Sequence, residues 1–106
     1  MTERKPVTAE AVRASLETVI DPKMKINVVD LGTVVDVRIE EGRIEIDMTL
    51  TNPDEPTVGM LASEIEQTVR STFDEIEHVE VGVVLDPPWT LARMSEKAKA
   101  KLGHDG

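Results

Sequence analysis

The segment Val35-Asp-Val-Arg-Ile-Glu-Glu-Gly-Arg-Ile-Glu-Ile-Asp-Met-Thr-Leu50 holds two period-2 runs around a glycine-containing turn. Val35, Val37 and Ile39 alternate with Asp36, Arg38 and Glu40, and Ile44, Ile46, Met48 and Leu50 alternate with Glu45, Asp47 and Thr49. That pattern predicts an antiparallel hairpin over 33–50 with one face in water and the other in a core. Upstream, Thr8 is a suitable N-cap, Val7 and Val12 stand at staple positions, and Val12, Leu16, Val19 and Ile20 recur at helical spacing until Asp21-Pro22. A helix over 8–20 is expected, followed by a linker through Gly32. Downstream, Thr51-Asn-Pro-Asp-Glu-Pro56 is too dense in turn residues to extend the strand, and Thr57 can cap the next helix. Leu61, Ile65, Val69 and Phe73 place that helix at about 58–73.

His78 to Leu85 alternates again, with Val79, Val81, Val83 and Leu85 on one face, and Asp86-Pro-Pro-Trp89 ends the run. A short helix over 96–102 follows, with Ser95 as its cap and Gly103 past its end. The order α-β-β-α-β-α predicts an α+β fold: a two-layer α/β sandwich with helices on one face of a small mixed sheet. Val37, Ile46, Leu61, Ile65 and Val81 are the expected core. Residues 1–6 read as a flexible arm, 7–103 as one domain and 104–106 as a tail.

Composition narrows the function. The chain has 106 residues, twelve Lys/Arg against twenty-one Asp/Glu, a net charge of −9 and no cysteine. The acidity argues against a nucleic-acid partner. No apolar run reaches the roughly 18 residues of a membrane span, and the start lacks a secretory h-region, so a cytoplasmic location is expected. Without cysteine there is no disulfide, no thiolate nucleophile and no self-ligated iron–sulfur cluster, so no cofactor is expected. Neither Gly-x-Ser-x-Gly nor Ser-x-x-Lys occurs, the two histidines lie at a strand start and in the tail, and the six glycines are scattered. No catalytic residue or metal ligand set emerges, which points away from an enzyme. Charge is segregated: Glu40 to Asp86 holds thirteen acids and two bases, net −11, whereas Arg93 to His104 is net +3. A solvated acidic body with a favourable helix-end charge accounts for this, as does docking on an acidic partner or a second copy.

Three loops hold residues that composition does not require: Asp21-Pro22, Thr49-Leu-Thr51 running to Pro56, and Asp86-Pro-Pro-Trp89. Individually, Asp21 reads as a helix stop, the threonines as strand formers and Trp89 as a lid over a small core. Together, Val19-Ile-Asp-Pro22, Val28-Val-Asp-Leu-Gly32, Met48-Thr-Leu-Thr51, Asp86-Pro-Pro-Trp89 and Arg93-Met-Ser95 with Leu102-Gly103 resemble the PaaD/SufT family of iron–sulfur cluster assembly domains. The resemblance runs from about Val7 to Gly103. It implies a two-layer α/β fold, a cytoplasmic accessory role in maturing iron–sulfur proteins, and dimers in several members. Its functional surface maps to Asp21, Thr51, Trp89 and Glu55, the last standing where cluster-handling members have a cysteine before the proline, here Pro56. A carboxylate at that place is a hard ligand and suits iron–sulfur chemistry poorly.

The expected function is a non-enzymatic accessory or adaptor domain acting through a protein partner: a metalloprotein client, an oxygenase component or an assembly factor, with a homodimer also in view. Two alternatives stand beside it. One is a regulatory or structural component of a complex that has lost cluster handling. The other is a hard-metal-binding domain using Asp21, Thr51 and Glu55.

Overall fold

A computed structural model describes residues 7–51 and 58–103. The N-terminal arm, the turn with Glu55 and the Thr57 cap, and the tail with His104 lie outside the described residues. The chain runs α1 (Ala9–Ser15), a 3-10 turn (Leu16–Thr18), α2 (Val28–Leu31), β1 (Val34–Glu40), β2 (Arg43–Met48), α3 (Val58–Thr72), β3 (His78–Val83), a second 3-10 turn (Leu91–Arg93) and α4 (Glu96–Gly103). The sheet order is β1-β2-β3, with β1 antiparallel and β3 parallel to β2. The expected two-layer α+β architecture with a small mixed sheet is what forms. A parallel β2–β3 pair requires a crossover, and α3 supplies it.

Local chemistry sets the boundaries. Thr8 caps α1 as expected, its hydroxyl accepting from the Ala11 N–H at 3.0 Å. The helix does not reach residue 20, however. Ser15 and Thr18 hydroxyls donate to the Val12 and Ser15 carbonyls at 2.7 and 3.0 Å, and the chain tightens into a 3-10 turn. Val19 then turns extended, and Ile20 bridges Asn27 and stays exposed. The expected linker through Gly32 also contains a helix. Asn27 Oδ1 accepts from the Val29 and Asp30 N–H groups, and Gly32 closes α2 in the left-handed region at φ 89°.

The hairpin closes at Glu41-Gly42, where Gly42 takes φ 67°. Its carbonyl accepts from Glu77 and His78, which sets the start of β3 beside it. A bulge between Val34 and Asp36 interrupts the β1 alternation. Val34 therefore faces the core, and Val35 is only half-buried.

Val12, Leu16, Val34, Val37, Ile44, Ile46, Met48, Leu61, Ile65, Val69, Phe73 and Val79 make the main core between the sheet and α1 and α3. Val37, Ile46, Leu61 and Ile65 are buried as expected, whereas Val81 is half-buried. The apolar row of β3 leaves its cover as it runs along the edge of the sheet: Val79 is 7% exposed, Val83 45% and Leu85 72%. A satellite core joins α2 and α4 through Ile26, Leu31, Met94 and Ala98, with Met24 and Trp89 against it. Ser95 caps α4 by accepting from the Ala98 N–H, and the helix extends through Gly103 rather than stopping before it. No helix among the described residues is long and apolar enough to cross a membrane.

On the open face of the sheet, Arg38 donates to Asp36, Glu45 and Asp47 at 2.8–3.2 Å. The guanidinium hydrogen bond holds the Asp47 carboxyl below the usual carboxylate range. A depressed folded value means stability that is present above the ordinary Asp pKa of about 4 and lost as pH falls through the lower one. In Arg38→Gln, NMR titration of Asp47 should show its midpoint moving up. An unchanged midpoint would mean that the contact does not persist in solution.

Candidate functional site

Asp21 stands past the first helical segment, which has ended by Thr18, and organises the tight turn that follows. Its Oδ1 accepts from the N–H groups of Lys23 and Met24 at 2.8 and 2.9 Å. Its own N–H donates to the Ile26 carbonyl, and its carbonyl accepts from Lys25, which sits at φ 62°. The residue is 4% exposed, and among the described residues its second carboxylate oxygen has no hydrogen-bond partner. A carboxylate is an efficient acceptor of paired backbone donors, and that is how the turn tolerates its burial.

Asp21 lines a small hollow of about 10 Å³ together with Thr33, Met48, Thr49, Leu50, Thr51 and Leu61. That volume is on the order of one water molecule. The hollow lies where β2 ends, near the start of α3, because Met48 closes the strand and Leu61 is in the first helical turns. The Thr33 hydroxyl donates to the Val28 carbonyl, and the Thr33 carbonyl accepts the Thr49 N–H at 2.7 Å. Thr49 belongs to the Thr49-Leu-Thr51 loop noted in the sequence, whereas Thr33 does not; threonine is an ordinary strand residue, and only burial beside Asp21 marks Thr33.

Thr51 also lines a more open hollow of about 120 Å³ with Thr49, Leu50, Leu85, Pro88 and Trp89. The structure thus gathers Asp21, Thr51 and Trp89 around two adjoining hollows, while Glu55 lies outside the described residues. Trp89 is half-buried against the satellite core, and its indole N–H donates to the Leu31 carbonyl at 2.7 Å. That matches the lid reading.

Chemically the smaller hollow offers carboxylate and hydroxyl oxygens. Among the described residues, no three His, Asp or Glu side chains gather as a metal site. Iron–sulfur clusters need thiolates, in some cases with imidazole, and the sequence has no cysteine. The donor set does not fit a cluster.

A variant pair tests the role of the turn. Asp21→Ala takes the acceptor from two part-buried backbone hydrogen bonds and should cost about 1–3 kcal/mol in urea unfolding. Asp21→Asn keeps an acceptor and should recover most of that loss. Equal losses would mean that the turn is held by something else.

The model of a family described as "Iron-sulfur cluster assembly protein" matches residues 9–83, from α1 to the end of β3. The chain belongs to that family. It is 41% identical over 86 residues to the Fe-S protein maturation auxiliary factor SufT of Staphylococcus aureus, covering 80% of this chain and 97% of that one. It is 37% identical over 95 residues to the auxiliary factor YitW of Bacillus subtilis, covering 89% and 92%. Among solved structures, a domain of unknown function from Bacillus anthracis superposes with TM-score 0.85 at 38% identity, covering 89% of this chain and 90% of that one. These comparisons bear out the family resemblance read from the motifs.

Proposed function

We propose that this chain is a non-enzymatic accessory protein in the maturation of iron–sulfur proteins, acting in the cytoplasm through a protein partner. The observation that carries this reading is similarity over nearly the whole length of two relatives named Fe-S protein maturation auxiliary factors. The scaffold around Asp21 and Thr51 is well formed, yet its donors are oxygens, so the role proposed is recognition rather than cluster holding. Ile20, next to Asp21, and Met60, next to Leu61, are large apolar side chains left in water at 46% and 58% exposure. Isolated exposed apolar residues are common, but two that adjoin lining residues along the chain suit contact with a partner. Asp21, Thr51, Glu55 and Trp89 are the proposed functional surface.

The test is deletion of the gene from its own host. The specific activity of a [4Fe–4S] enzyme is measured before and after chemical reconstitution with ferrous iron and sulfide. Lower activity at an unchanged enzyme level, restored by reconstitution, supports the proposal. Unchanged activity across several such enzymes would overturn it.

A further inference from the structure

The two edges of the sheet are built differently. At the β1 edge the strand is bulged, and the Arg13 guanidinium reaches the Val35 carbonyl. Bulges and covering side chains are the usual means by which an edge is kept from pairing with another chain. Along β3 itself, among the described residues, neither device occurs; the Arg70 guanidinium reaches only the Glu77 carbonyl just before the strand, at 3.4 Å. The register of β3 with β2 is unbroken from His78 to Val83, and among the described residues no strand pairs with its outer side.

Backbone direction identifies the free groups. The His78 N–H donates to the Gly42 carbonyl and the Val84 N–H to the Met48 carbonyl, so even-numbered residues face β2. Along a strand the N–H and C=O groups alternate between the two sides, so those of Val79, Val81, Val83 and Leu85 face outward. These are also the residues whose side chains form the apolar row that runs out of cover. Glycine 82 adds an independent observation. A Cβ there would meet only Asp47 Oδ1 at 3.7 Å, and its φ is not in the left-handed region, so nothing within the chain requires glycine. A glycine inside a strand commonly marks the close approach of another backbone.

The geometry points to a symmetric dimer in which β3 pairs antiparallel with β3 of a second copy, with Gly82 on the twofold axis. In that register Val81 faces the second copy's Val83, and Val79 faces its Leu85. All four belong to the outward-facing set, so these are hydrogen-bonded pairs, and Gly82 meets its own copy at a non-hydrogen-bonded position. There the Cα atoms approach to about 4.5 Å. The register also keeps Glu80 from facing itself. Centring the axis on Glu80 would oppose two carboxylates, and centring it on Val81 would leave Leu85 opposite Glu77. The exposed Val83 and Leu85 gain apolar neighbours, and two three-stranded sheets become one of six. Because the strands run in opposite directions, the two Asp21–Thr51 hollows stand at opposite ends of the joined strands.

The absence of native cysteine makes the test direct. Light scattering on the full chain should give twice the 11.7 kDa chain mass. Gly82→Cys should oxidise quantitatively to a disulfide dimer, since its Cα separation falls inside the disulfide window of about 4.4–6.8 Å. Glu80→Cys, displaced from the axis, should cross-link far more slowly. The double variant Val83→Lys/Leu85→Lys, at exposed positions, should keep the native circular dichroism spectrum and run at the mass of one chain. A monomer at high protein concentration would overturn the proposal. So would a dimer that survives the double lysine variant, or one in which Glu80→Cys links as fast as Gly82→Cys.

Discussion

Replacing Gly32 by alanine is expected to destabilise the protein by about 2–5 kcal/mol, combining the left-handed backbone penalty with overpacking. Gly32 caps α2 at φ 89°, and an added Cβ would run into the Arg93 carbonyl oxygen, with that carbonyl's carbon at 2.7 Å and the Arg93 Cβ at 2.8 Å. Backbone cannot swing aside as a flexible side chain can. The same approach is held from the other direction, because Arg93 Nε donates to the Gly32 carbonyl at 2.9 Å. Moving the two apart would therefore also unseat the satellite core, where Trp89 bonds to Leu31. The single tryptophan reports this: its emission should shift to the red well before the main unfolding transition of the native protein. Gly42→Ala is the control. Gly42 has φ 67° but nothing within 4 Å of a Cβ, so the backbone penalty of roughly 1 kcal/mol is all it should pay. Equal costs for the two alanines would refute the close docking of Arg93 on Gly32.

Ile46→Ala should cost about 2–5 kcal/mol, the range for deleting most of a buried isoleucine without collapse of the cavity. Ile46 is fully buried in the central strand, between Val37 on β1 and Val81 on β3. In a domain of this size each kcal/mol moves the midpoint by roughly 4–8 °C, so the loss should be at least 8 °C in a thermal melt. Val81→Ala removes a side chain that is already half in water and should move the midpoint much less. Similar shifts would mean that the helical layer covers β3 more fully than the structure shows.

The hairpin was legible because one wet face and one dry face give strict alternation, and Gly42 supplies the turn. The bulge at Val35 was not, since two adjacent valines fit either register equally well. A similar ambiguity hid the end of the first helix. Ile20 continues the helical spacing, but Ser15 and Thr18 compete for the carbonyls that would extend it. The four-residue α2 is too short to show a period, although Asn27 and Gly32 are ordinary start and stop signals around it. Alternation also placed Val83 on the apolar row of β3, but the strand ends there and Leu85, expected within it, lies past its end. Burial did not follow, because cover depends on how far the helices reach over the edge.

At the site, Asp21, Thr51 and Trp89 were legible as loop residues in excess of what composition needs, and the fold gathers them. Asp21 was read as a stop signal. Its hydrogen bonds to Lys23 and Met24 show a carboxylate organising the turn, a role the sequence Asp-Pro-Lys-Met permits but does not single out. Thr33 falls at the start of the expected hairpin, where a threonine carries no signal of a site, which is why the lining of the hollow was incomplete.

The role proposed for this chain is to assist iron–sulfur maturation through contact and not by holding a cluster. Anaerobic reconstitution of the purified protein with ferrous iron and sulfide, followed by desalting, tests that claim most directly. Iron, sulfide and visible absorbance should all match those of a cysteine-free control protein treated in parallel. Stoichiometric iron and sulfide with cluster absorbance, retained by the chain alone, would contradict it.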